Sequence, residues 1–158
     1  MYGKSLIHEL KFEQPNEYRV LCPDGFYRPY IDNGIVELIR NLTISGFKTI
    51  ACCSGLPEDH EKENEYDIEG NEWYLWYLSL DIDDFLKIKD KVTKLIKRYE
   101  SEYISTEIIQ RNDKSVASIY FNVTLDRIIR PILRSPEQGE IFCESVKSFM
   151  ENFNKIIL

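Results

Sequence analysis

The chain has 158 residues, carries 27 acidic and 20 basic side chains, and has a formal net charge of −7. A chain of this length typically forms one domain, and 43% apolar with 30% charged residues is typical of globular proteins rather than disordered or fibrous ones. No apolar stretch approaches the roughly 18 residues that a membrane-spanning helix needs. The first ten residues include Lys4, His8 and Glu9 and lack the apolar core of a signal peptide. We therefore expect a single cytoplasmic domain over residues 1–158.

The negative charge is concentrated in residues 54–72. This segment holds eight acidic side chains and one lysine, so its net charge equals that of the whole chain. Blocks of like charge repel one another and stay extended, which predicts a flexible, solvated loop. A lid over a site, or a screen that repels polyanions, is the functional alternative. An acidic chain is a poor ligand for long nucleic acid, although a local basic surface elsewhere remains open.

The N-terminal region has the pattern of short strands. Alternating side chains predict strands over residues 5–12 and 17–22, which we expect to pair as a hairpin. Pro23-Asp24-Gly25 is a typical turn signature because proline presets φ and glycine accepts positive φ. An aromatic loop that carries Arg28 is expected to follow this turn.

The rest of the chain alternates between helical and strand-like spacing. Apolar periodicity predicts three helices, over residues 32–45, from 81 or 83 to about 99, and over 137–157. Apolar or alternating runs predict four strands between them, over residues 47–53, 73–80, 103–110 and 115–123. Asp32 and Gly46 suit the N-cap and C′ positions of the first helix, and Pro136 suits the start of the last. The second helix carries lysines that we interpret as a solvated face: Lys87, Lys89, Lys91, Lys94 and Lys97.

The order of these elements determines the fold class. After the N-terminal strands it is helix, strand, strand, helix, strand, strand, helix, so strands do not alternate one-for-one with helices as a doubly wound fold requires. We predict an α+β fold with an antiparallel or mixed sheet and helices packed mainly on one face. A helix–strand–strand unit is used twice, and a C-terminal helix closes the fold. The second sheet face is expected to stay open or to form a dimer interface.

The end of the strand over residues 47–53 is the first candidate site. Backbone N–H groups around Ser54 and Gly55 are able to form an anion-binding nest. The Ser54 hydroxyl adds a donor, and Gly55 lets a ligand approach the backbone closely. The alternative is a plain strand exit into the acidic loop.

This segment also carries a family resemblance. Ala51-Cys52-Cys53-Ser54-Gly55, after a helix and a Gly-Phe-Lys-Thr strand, resembles the Ser-Ser-Cys-Ser-Gly motif of the wybutosine-synthesis methyltransferase family. It is also similar to short proteins of phages and Firmicutes that carry a helix, Gly-Tyr-Lys-Thr and Cys-Cys/Glu-Gly-His. The first resemblance implies an α/β fold, S-adenosylmethionine as methyl donor, a tRNA guanine derivative as substrate, and functional roles for Cys53, Ser54 and Gly55. The second implies sequestration of a host defence signal nucleotide. Leu56 stands where the first group has arginine and the second has histidine.

Arginines form the second candidate feature. Residues 124–134 are expected to form a short helical piece or a loop around a proline. If helical, this segment places Arg127, Arg130 and Arg134 on one face, where guanidinium groups bind phosphate bidentately. Arg28 is a fourth candidate. Ion pairs with neighbouring acids are the alternative role for these arginines.

Aromatic strands form the third feature. In the strand over residues 73–80, Tyr74 and Trp76 point to one side and Tyr77 to the other. We predict that Trp76, with Tyr120 and Asn122 of a nearby strand, forms a stacking platform for a nucleobase. The alternatives are a second core and a dimer interface.

The cysteines and histidines support neither a disulfide scaffold nor a metal site. Four cysteines include no Cys-x-x-Cys pair, and a site built from Cys22, Cys53 and His60 matches no standard zinc spacing. We expect free cysteines that pack as small apolar residues, and no metal. No catalytic residue and no cofactor emerge from the sequence.

Together these features favour a protein that binds a small phosphorylated or nucleotide-like ligand. One alternative is an S-adenosylmethionine-dependent tRNA-modifying enzyme, and another is a homodimeric interaction protein without a small ligand. The predicted ligand-binding residues are Cys53, Ser54, Gly55, Arg28, Trp76, Tyr120, Asn122, Arg127, Arg130 and Arg134.

Overall fold

The structure, a computed structural model, describes residues 19–21, 27–29, 31–56, 59, 75–111, 113, 115–123 and 136–157. These residues form the helices α1 (Val36–Ile44), α2 (Ile82–Lys97) and α3 (Pro136–Ile157). They also form the strands β1 (Arg19–Leu21), β2 (Tyr27–Pro29), β3 (Thr49–Cys53), β4 (Leu75–Asp81), β5 (Ile104–Arg111) and β6 (Val116–Val123). Within the described part, no helix is both long enough and apolar enough to cross a membrane.

The main sheet has four strands in the order β3-β4-β6-β5, and every neighbouring pair is antiparallel. The order along the chain is α1-β3-β4, then α2-β5-β6, then α3. The predicted α+β class, with its helix–strand–strand unit used twice and its closing C-terminal helix, is therefore confirmed. Cross-strand register places Cys53 opposite Tyr77, Tyr77 opposite Tyr120, and Tyr120 opposite Glu107. These four residues form one row on one face, because directly paired residues point to the same side.

The other sheet face is covered by helices and holds the core. Its central positions are buried: Trp76, Leu78, Leu80, Ala117, Ile119 and Phe121. Phe149 of α3 packs against Trp76 and Phe121, with ring centroids 5.1 and 5.5 Å apart. Helix α3 also contacts α1 and α2, so the three helices form one layer. Burial of each large apolar side chain contributes about 1.5–3 kcal/mol, which makes this layer the main source of stability.

The helix starts differ in how well local sequence predicts them. Helix α2 begins where predicted, and Asp81 caps it, since its carboxylate accepts the N–H two residues on at 3.1 Å. Helix α1 begins four residues later than predicted, after an Ile35 N-cap that makes no side-chain cap bond. Asp32 does not cap it, because its carboxylate accepts the N–H of Ser54 instead, at 2.9 Å. The N-cap prediction for Asp32 is thus wrong.

The described N-terminal strands form a small sheet of their own. The strand expected over residues 17–22 is present as β1 and pairs with β2 in antiparallel register, while its predicted pairing with residues 5–12 stays a prediction. The predicted aromatic loop around Arg28 is therefore a strand, with Arg28 opposite Val20. The predicted strand over residues 5–12 and the turn over residues 23–25 lie outside the described residues.

Candidate functional site

The turn after β3 is held by two carboxylates. Ser54 is fully buried, and its backbone N–H donates to Asp32 Oδ2 at 2.9 Å. Its hydroxyl donates to Asp59 Oδ2 at 2.5 Å and accepts the N–H of Leu56 at 3.2 Å. The same Asp59 oxygen accepts the N–H of Gly34 at 3.0 Å. One carboxylate therefore joins the β3 turn to the segment before α1.

These contacts use the Ser54 donors of the anion nest predicted at Ser54 and Gly55. The N–H and hydroxyl of Ser54 already donate to the chain's own carboxylates. A phosphate bound at this turn would lie close to the carboxylates of Asp32 and Asp59. Negative charges in close proximity repel one another. Gly55, at φ +64, is required by the turn itself, since a Cβ there would lie 2.7 Å from the Leu75 backbone. Ser54 therefore has a structural role here, since both of its donors are bonded within the chain.

Trp76 is not part of an exposed stacking platform. It is fully buried, and its ring meets Phe149 edge-on. Its register partner is Phe121, which also faces the helices, whereas Tyr120 and Asn122 belong to the opposite face. The strand is apolar on both sides, and the helix layer covers the side that carries Trp76. The prediction that Trp76 shares a platform with Tyr120 and Asn122 is wrong.

The sheet face away from the helices, which we call the open face because none of the described helices packs on it, keeps the other predicted residues together. Tyr77 and Tyr120 are half-buried there, with ring centroids 6.1 Å apart and planes tilted by 41°. Asn122 lies two residues beyond Tyr120 on β6 and is opposite Leu75 and Ser105. Cys53 lies in the same row as the two tyrosines, at the edge formed by β3.

A pocket of about 430 Å³ opens at one end of this face. We call it the sheet pocket, and it is lined by Leu75, Ser105, Thr106, Glu107, Tyr120 and Asn122. The Asn122 Oδ1 atom is buried and has no hydrogen-bond partner among the described residues. Buried polar atoms normally have a hydrogen-bond partner. This amide oxygen is therefore a candidate acceptor for a hydrogen-bond donor on a ligand. Glu107 is a residue that sequence reasoning missed, because only the β5–β6 register brings it beside Tyr120.

None of the predicted arginine ligands is among the described residues that line the sheet pocket. Arg28 belongs to β2, in the separate two-stranded sheet. Arg127, Arg130 and Arg134 lie outside the described residues, as do Cys22 and His60 of the rejected metal site. The arginines therefore stay predictions.

Two titratable groups near β3 are shifted by their surroundings. Burial, with a smaller contribution from the Asp32 carboxylate, raises the pKa of the Cys52 thiol well above its ordinary value. Burial, followed by the neighbouring Cys53, likewise raises the pKa of the Tyr77 hydroxyl. Both groups are therefore protonated and neutral at pH 7.

We expect the Cys52 thiol to resist modification in the native protein. Only the thiolate attacks DTNB, and each unit of raised pKa lowers the thiolate fraction about tenfold. At about pH 8, Cys52 should react at least ten times more slowly than the half-buried Cys143, and equally fast after denaturation. Peptide mass spectrometry of the labelled protein measures both rates.

The raised pKa values of Cys52 and Tyr77 also make the stability of the fold depend on pH in the alkaline range. A raised folded-state pKa means that the unfolded chain releases its proton first, so the free energy of unfolding should fall above about pH 8.5. Stability that is unchanged up to about pH 10, or fast labelling of Cys52, would contradict the buried position of this thiol.

Comparisons of this chain with protein-family models, with curated proteins and with solved structures give no match. The resemblance of residues 51–55 to the wybutosine-synthesis methyltransferases and to short phage proteins thus stays a prediction.

Proposed function

We propose that this protein binds a small nucleotide-like molecule, with its base in the sheet pocket. The observation that carries the proposal is the combination of an aromatic ring, Tyr120, with the buried amide oxygen of Asn122, which has no hydrogen-bond partner among the described residues. An unsatisfied buried acceptor costs about 1–3 kcal/mol, and a ligand N–H that bonds the Asn122 amide would recover that energy. Stacking on tyrosine adds about 1–3 kcal/mol for any base.

The polar groups of the pocket favour a base edge that donates hydrogen bonds. The Asn122 Oδ1 atom accepts, and an ionised Glu107 carboxylate only accepts. Guanine presents two neighbouring donors, N1–H and the N2 amino group, which match a carboxylate. Adenine presents one amino group beside a ring acceptor. A guanine nucleotide is therefore the ligand class we propose.

The phosphate end of the ligand is assigned to the arginines that follow β6. Arg127 lies five residues beyond Asn122, so chain length alone limits their separation to about 18 Å. Arg130, Arg134 and Arg28 are the other predicted phosphate ligands. Sequestration of a host defence signal nucleotide is the biological form of this proposal that the resemblance to phage proteins implies.

Binding measurements with variants of the sheet pocket test this proposal. We expect GMP to bind more tightly than AMP in isothermal titration calorimetry. Tyr120→Leu should weaken GMP binding about tenfold or more by removing the stacking ring, whereas Tyr120→Phe should retain most of it. Glu107→Gln should reduce the preference for GMP over AMP, and the matched exposed control Glu102→Gln should leave it unchanged.

Other outcomes would favour the alternatives. If no mononucleotide binds at about 1 mM, the nucleotide proposal is wrong. Binding of S-adenosylmethionine in native mass spectrometry would favour the methyltransferase alternative. A dimer that Tyr120→Asp converts to a monomer would favour the homodimeric interaction protein.

A further inference from the structure

A groove with four cationic side chains lies between α2 and α3. Its volume is about 290 Å³, and it is lined by Lys91, Lys94, Arg98 and Lys155, with Leu95 and Ile156 among its apolar residues. None of the described residues that line it is acidic. We call it the helix groove. It shares no residue with the sheet pocket, because the helices cover the opposite face of the sheet.

The cations of the helix groove are brought together by helical spacing. Lys91, Lys94 and Arg98 are three and four residues apart, which places them on one face of α2 and its C-cap. Lys155 approaches from the last turn of α3. Within the described part of the chain, none of these four side chains makes a hydrogen bond or an ion pair. By contrast, Lys87 on the same helix pairs with Asp84 at 3.3 Å.

Neutralisation of the helix dipoles does not account for four cations. Both α2 and α3 end at this groove, and a helix C-terminus carries roughly half a negative charge. The two ends together offset about one positive charge, which leaves a surplus of about three. Asp90 and Glu151 lie four residues before Lys94 and Lys155, yet neither forms an ion pair with them. The remaining positive charge of the helix groove is therefore available to bind an anion from solution.

We propose that the helix groove binds a compact oligophosphate anion, such as a linear triphosphate group. Lys91 and Arg98 are seven residues apart, about 10 Å along the helix, so the charges are clustered rather than spread along a track. Lysine supplies point charges and arginine a planar fork, and both bind phosphate oxygens. This proposal is independent of the sheet pocket, since a different face and a different observation carry it.

Titration with inorganic tripolyphosphate tests the helix groove. At about 50 mM salt we expect one-to-one binding to the full chain, weakening steeply as salt rises. Lys94→Glu and Arg98→Glu should each weaken binding about tenfold or more. Lys97→Glu is the matched control, because Lys97 is exposed in the same helical turn but does not line the groove. It makes the same change in net charge and should weaken binding less than about threefold.

Three results would overturn the proposal. The first is that tripolyphosphate does not bind at about 1 mM. The second is that Lys97→Glu weakens tripolyphosphate binding as much as Lys94→Glu does. The third is that a short poly(U) RNA binds more tightly than tripolyphosphate and depends on the same groove residues. The last result would identify a nucleic-acid surface instead. All three changed positions are exposed, and circular dichroism confirms that each variant is folded. Arg98→Gln, which removes the charge without reversing it, provides a second variant with the same expected direction.

Discussion

Replacement of Gly55 with alanine is expected to lower the free energy of unfolding by about 3 kcal/mol or more. At φ +64 the left-handed backbone alone costs an L-residue about 1–2 kcal/mol. The added Cβ would also lie 2.7 Å from the carbonyl carbon of Leu75 and 2.8 Å from the N atom of Trp76. These are backbone atoms of the central strand β4, so neither is able to move aside without disturbing the sheet.

Gly46→Ala is the matched control for this prediction. Gly46 also has a positive φ, of +87, but nothing lies within 4 Å of its added Cβ. Only the backbone cost of about 1–2 kcal/mol applies there. Urea denaturation of both variants measures the two free energies, and equal losses would show that close approach of the β3 turn to β4 contributes nothing.

Truncation of Phe149 to alanine is expected to cost about 3–5 kcal/mol, the range for large aromatic residues in a core. Phe149 is fully buried, and its ring meets Trp76, Tyr99, Phe121 and Phe153 at centroid distances of 5.1 to 5.7 Å. The cavity would open where α3 packs on the sheet. Thermal unfolding should show a decrease in Tm of roughly 6–20 °C for a chain of this size.

Leu86→Ala provides the control for Phe149. Leu86 lies on α2 but is 51% exposed, so its truncation should change stability by less than about 0.5 kcal/mol. Phe149→Leu should fall between the two because it leaves a smaller cavity. If Phe149→Ala lost as little as Leu86→Ala, α3 would not be packed on the sheet as described.

The fold was predictable from sequence because each element has one apolar side. In α2, Phe85, Ile88, Val92 and Leu95 recur at helical spacing and all are buried. The same rule fails for β4, which is apolar on both sides. Period-two alternation correctly separated Trp76 from Tyr77, but it gives no sign of which side the helices cover. That choice depends on packing between distant segments.

The site was less predictable because its decisive contacts are not local. Asp32 has the residue type and position of an N-cap, yet it bonds Ser54, which is 22 residues away in the chain. Asp59 lies within a block of like charges that predicts solvation, yet it accepts one hydrogen bond from the β3 turn and one from Gly34, before α1. Glu107 acquires its position beside Tyr120 only through strand register. These contacts join residues that are far apart in the chain. Helical and strand periodicity relate only near neighbours, so neither pattern predicts them.

Strand β4 places two neighbouring chromophores in different surroundings. The Trp76 indole is excluded from water and packed against Phe149, while Tyr77, the next residue, shares the open face with Tyr120. The chain has a second tryptophan, Trp73, so fluorescence of a Trp73→Phe variant reports Trp76 alone and follows the packing of α3 on the sheet. Tyr77 and Tyr120 are two of ten tyrosines, so the absorbance difference between the protein and its Tyr77→Phe variant isolates the signal of the open face. One short strand thus gives an optical signal from each side of the sheet.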